Sequence, residues 1–118
     1  MSDPTPAPFN LLDYRHLHEA AVVMLATFAE AEKRHPDRVP VKFSYETLIP
    51  WVRVVDRQHF GTKLDQTNNP RHLMQLWVSI AAADGVVHRT NIGARGGTQA
   101  IFALTSVGRH LARLPAFG

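Results

Sequence analysis

The chain has 118 residues, no cysteine and a formal net charge of +3. That length suits one domain with a core of its own, and the lack of cysteine excludes a disulfide framework or a thiolate metal site. The charge is uneven: residues 1–56 hold six Lys/Arg against eight Asp/Glu, and residues 57–118 hold seven against two, which fits either an anionic partner, above all nucleic acid, or a solvated basic surface with no partner.

The first ten residues, MSDPTPAPFN, contain three of the eight prolines. They cannot be helical and are expected to form a flexible arm over 1–10, ahead of one domain over 11–118. They offer no basic n-region and no apolar h-region, so no signal peptide is expected. The longest apolar run, Ala20 to Ala29, is far shorter than the roughly 20 residues of a membrane span. A cytoplasmic protein with no membrane contact is the expectation.

A long helix is expected from Leu11 to His35. Asp13 is placed to cap it, and His35-Pro36 stops it because proline disfavours helical geometry in the residue before it. Leu17, Ala21, Met24, Leu25 and Phe28 recur at spacings of three and four and make one apolar stripe. The stripe exceeds what a small core needs, which predicts a homodimer built partly on this helix. VPVKF, Val39 to Phe43, alternates and is β-branched, so it reads as a short strand. Ser44 then caps a helix, with Thr47 where a capping box prefers Glu. Pro50 either kinks that helix or opens a second one. Arg57 to Asn69 is polar and reads as a loop.

NPRHLMQLWVSIAAADG gives the clearest helix. Asn69 is its N-cap, Pro70 its first position and Gly85 its left-handed stop. Leu73, Leu76, Trp77 and Ile80 are expected to be buried, with Arg71, His72, Gln75 and Ser79 on the other side. VVHRTNI and TQAIFALT follow as two strands, joined by GARGG with Arg95 at the tip. Ser106 to Leu114 reads as a closing helix.

ADGVVHR (Ala83 to Arg89) resembles the end of a recognition helix running into the first wing strand of winged helix-turn-helix regulators, broadly of the MarR type. FALTSVGRHLARL (Phe102 to Leu114) resembles their second wing strand and the LT-x-x-G turn into a last helix. The polar stretch from Arg57 to Asn69 is longer than the turn of that class. The resemblance implies an α-rich α+β fold: a winged helix-turn-helix with a two-stranded wing hairpin and flanking helices. It implies sequence-specific duplex DNA binding by a small transcription regulator acting as a homodimer. The candidate DNA contacts are Asn69, Arg71, His72, Gln75 and Ser79 on the recognition helix, Arg89 on the wing and Arg95 at its tip. Their chemistry suits the task. Arginine forks to guanine and glutamine to adenine, a helix N-terminus favours phosphate, and glycines let a tip arginine approach the backbone or a minor groove.

Other chemistries have little in their favour. GARGG lacks the Gly-Lys-Ser/Thr ending of a phosphate loop. The seven histidines show no H-E-x-x-H spacing, and there is no G-x-S-x-G. No enzymatic activity, metal or cofactor is expected, and Trp51 and Trp77 read as core residues. Two other roles stay open: a winged-helix protein-interaction module, and a plasmid or phage accessory protein for replication, partition or transfer.

Overall fold

Helix α1 (Glu19–Arg34) is the element around which the others pack in the computed structural model, which describes residues 17–91 and 99–114. The expected N-terminal arm, the Asp13 cap and Arg95 lie outside the described residues. Every residue of α1 from 20 to 29 is buried. Thr27 fits inside because its hydroxyl donates to the Val23 carbonyl one turn back (2.7 Å). The helix starts later than expected. His18 is extended, and its Nδ1 accepts from the Ala20 N–H (3.0 Å), so a helix from Leu11 does not run through it. The His18 N–H is in turn held by Asp84 Oδ2 (3.1 Å).

The stripe that predicted a dimer is used up inside the chain. Met24, Leu25 and Phe28 are fully buried, and α1 packs on both α2 (Tyr45–Val55) and α4 (Pro70–Ala83). With two helices and a strand on it, α1 has no apolar face left to offer a second copy.

The expected strand from Val39 to Phe43 shrinks to one residue. Phe43 exchanges two backbone hydrogen bonds with Phe102 (2.9 and 2.8 Å). The ladder stops there for a chemical reason: Pro40 has no N–H to donate, and the Val41 N–H goes to Glu32 Oε2 (3.3 Å). Helix α2 begins with a closed capping box. The Thr47 N–H donates to Ser44 Oγ (3.3 Å), and the Ser44 N–H donates to Thr47 Oγ1 (2.9 Å). Threonine therefore serves where glutamate is usual. The helix continues through Pro50, which is exposed.

The stretch expected as a loop, Arg57 to Asn69, holds structure. A wide turn (Asp56–Phe60) leads into the short helix α3 (Lys63–Gln66). Leu64 is buried, and its N–H donates to Asp56 Oδ2 (2.9 Å), which pins α3 down. Helix α4 has the predicted bounds, with Asn69 Oδ1 accepting from the His72 N–H (3.1 Å) and Gly85 at φ 77° after its end. Its buried face is rotated from the expected one. Met74, Trp77, Val78 and Ala81 are buried, Leu73 and Ile80 are half-buried, and Leu76 is 50% exposed. The cause is packing against four elements, α1, α2, α3 and β1, which shifts the centre of the buried arc.

Strands β1 (Val87–Arg89) and β2 (Phe102–Leu104) pair antiparallel, with Val87 opposite Leu104 and Arg89 opposite Phe102. Helix α5 (Ser106–Leu111) follows and ends short of Leu114. The LT-x-x-G spacing has a physical reason here. Thr105 Oγ1 accepts from the Gly108 N–H (2.9 Å) and donates to the Gly85 carbonyl, while the Thr105 N–H bonds the Val86 carbonyl (3.0 Å). A Cβ at position 108 would collide with that Val86 oxygen. Glycine alone lets α5 press onto the turn that leaves α4. A buried ion pair then ties α5 to α1: Arg109 Nη1 and Nη2 donate to Glu32 Oε1 (2.9 Å) and Oε2 (2.6 Å).

Candidate nucleic-acid interface

Helix α4 positions five of the seven sequence-predicted contacts. Asn69, Arg71, His72, Gln75 and Ser79 are all exposed, while the opposite side of the helix is buried in the core. The side chain of Asn69 is spent on the cap, so its part is to fix where the helix begins. His72, Gln75 and Ser79 fall at spacings of three and four and share one stripe. Leu76 sits within that stripe as an exposed apolar residue, and the sequence reading had put it in the core.

Arg71 is not idle. Its Nη1 donates to Glu46 Oε1 (2.7 Å) at the start of α2, and both side chains are more than half exposed. An exposed pair of this kind contributes ~0–1 kcal/mol, so a stronger anion can draw Arg71 away at small cost. Two more arginines on the α2 side are engaged. Arg57 forms a fork on Asp65 (2.6 and 2.8 Å), and Arg53 Nε approaches the same carboxylate at 3.3 Å. The hydrogen bond from Arg57 holds the Asp65 carboxyl below its ordinary range, against a smaller opposing effect of desolvation, and the charges of Arg57 and Arg53 add to the lowering.

Arg89 lies on β1, a separate element that packs against α4. It is half-buried, and its Nε donates to Asn91 Oδ1 (3.0 Å). Asn91 was missed by the sequence reading. The same Oδ1 accepts the Ile101 N–H (3.0 Å), and Nδ2 donates to the Gln99 carbonyl (2.6 Å). One carboxamide thus bridges both sides of the hairpin where it leaves the described residues and steers Arg89 as well. An asparagine two residues before a glycine-rich tip is the only signal the sequence carried for it. Arg95 lies outside the described residues.

The histidines are dispersed. His18 caps α1, His35 packs edge-on to Trp51 (ring centroids 5.7 Å apart), and His59, His72, His88 and His110 are exposed. Among the described residues no three metal-ligating side chains converge. Trp77 is a core residue, whereas Trp51 is half-buried at the edge of the core. No helix among the described residues is long and apolar enough to cross a membrane. The chain matches no family model, and no curated protein or solved structure compared with it is similar.

Proposed function

We propose that the chain is a winged helix-turn-helix protein that binds duplex DNA, with α4 in the major groove and the β1–β2 hairpin as its wing. The observation that carries this reading is the coupling of α4 to the hairpin. A helix with a polar outward face near its N-terminus turns at Gly85 directly into an antiparallel pair, and Phe43 adds a bridge on the far edge of β2. Forked and bidentate donors at Arg71 and Gln75 suit base edges, and the basic second half of the chain suits a polyanion. On this reading the protein is a small cytoplasmic transcription regulator, and a homodimer on a two-fold site would use an interface other than the α1 stripe.

A mobility-shift titration on random-sequence duplex at several salt concentrations tests it. Binding that weakens steeply and log-linearly with salt is expected, because phosphate contacts release counterions. Absence of binding at low salt would overturn the proposal. One observation favours a second reading, a protein-interaction module: Leu76 is exposed in the middle of the α4 face, and Arg71 beside it is already paired with Glu46.

A further inference from the structure

The outer face of the hairpin is closed by α5 and by residues 40–42, leaving a cleft of about 390 Å³. Small-molecule sites occupy ~300–1,000 Å³. Strand alternation builds it. Val87 is buried, so His88 projects to the other face beside Ala103, its partner across the ladder. The same alternation exposes Lys42 next to buried Phe43. Helix α5 brings His110 and Ser106 into the lining, and Thr90, just past β1, lines it too with its hydroxyl donating to the Ile101 carbonyl (3.2 Å). Leu104 and Leu114 give the cleft an apolar wall.

Arg34, Arg53, Arg57, Lys63, Arg71 and Arg109 each have a carboxylate partner. The side chains of Lys42, His88 and His110 make no hydrogen bond or ion pair among the described residues. None of the described residues lining the cleft is acidic. Arg109 also lines it, but its guanidinium is committed to Glu32 and serves the fold. Three nitrogen-bearing side chains and the Ser106 hydroxyl therefore line an open space that has an apolar wall and no acidic residue among those described.

We propose that this cleft binds a small organic anion, one phosphate or carboxylate head on an apolar body. The head would take N–H donors from Lys42, His88 and His110, and the body would lie against Leu104 and Leu114. The site is built from different residues than the α4 face and does not depend on the DNA reading.

The test is calorimetric titration of the full chain with phenyl phosphate, benzoate and inorganic phosphate, with amide shifts mapped by NMR. Saturable binding of phenyl phosphate or benzoate is expected, about tenfold or more tighter than inorganic phosphate, because the ring buries apolar surface. Amides of His88, Thr90 and His110 should shift. Lys42→Gln should weaken binding about tenfold, the scale of one charge-assisted hydrogen bond, and His110→Gln should weaken it as well. Both residues are exposed, so melting should be unchanged. No saturable binding of any probe at millimolar concentration overturns the proposal, and so does parent-like binding by both variants. Displacement of phenyl phosphate by a short duplex, together with equal affinity for inorganic phosphate, would give the cleft to backbone phosphate and also overturn it.

Discussion

Removing Arg109 should be among the most damaging single changes in the chain. Its side chain is 5% exposed and that of Glu32 is 3% exposed, and the two share a bidentate contact at 2.9 and 2.6 Å across 77 residues of sequence. Arg109→Met leaves the Glu32 carboxylate buried without its cation, which costs about 3–5 kcal/mol. For a chain of this size that corresponds to a fall in Tm of roughly 10–20 °C. Removing both charges is a different perturbation. Glu32→Leu with Arg109→Met avoids two desolvation penalties, a change that is often neutral or gains ~1–4 kcal/mol. It also strips the Val41 N–H of its acceptor, which costs about 1–3 kcal/mol. The double variant should therefore lie within about 3 kcal/mol of the parent and be more stable than Arg109→Met alone. Urea unfolding of the parent, both single variants and the double variant gives the coupling energy directly. A loss below about 1 kcal/mol for Arg109→Met, or a double variant as unstable as the sum of the singles, would refute the reasoning.

The remaining predictions concern packing and one surface ion pair. Gly108→Ala should destabilise by at least about 1–3 kcal/mol, since its Cβ meets the Val86 carbonyl and backbone must move; a parent-like melting curve would contradict this. On α4, Met74→Ala should cost about 2–5 kcal/mol and Leu76→Ala less than about 1 kcal/mol, because the first is fully buried and the second half exposed; equal losses in urea would restore the stripe expected from the sequence. Arg57→Ala removes the hydrogen bond that lowers the Asp65 carboxyl. A group held below its ordinary range contributes stability that is present above that range and is lost as pH falls through its folded value. The gap in urea midpoint between parent and Arg57→Ala should hold from pH 7 to about 5 and close towards pH 3. A gap that widens on acidification would be the contrary result.

Local chemistry was the part of the fold that could be read in the sequence. Asn69, Pro70 and Gly85 set the bounds of α4, and Ser44 with Thr47 set the start of α2, because caps are decided by neighbours a few residues apart. The Thr105–Gly108 spacing was visible as a motif, while its reason, close contact with Val86, needed the fold. What stayed hidden depends on distant partners. The Val39 to Phe43 strand was shortened by Glu32, which takes the Val41 N–H, and Glu32 itself is held by Arg109. The buried face of α4 could not be placed because periodicity gives the width of a stripe and not its centre when four elements press on one helix. For the candidate site, exposure of Arg71, His72, Gln75 and Ser79 followed from the helical pattern. The Glu46 partner of Arg71 and the Asn91 bridge behind Arg89 did not, since neither contact is encoded by spacing.

The proposal that α4 reads duplex DNA is tested most directly at Gln75, which is exposed and whose side chain makes no hydrogen bond among the described residues. A duplex is first selected from a random library with the parent protein. Fluorescence anisotropy then compares parent and Gln75→Ala on that duplex and on a scrambled one, at two salt concentrations. The account predicts a loss of roughly 1–3 kcal/mol on the selected duplex, relaxed preference at one base pair, unchanged affinity for the scrambled duplex and an unchanged salt slope. Parent-like binding of the selected duplex by Gln75→Ala, or no selection by the parent at all, would contradict it.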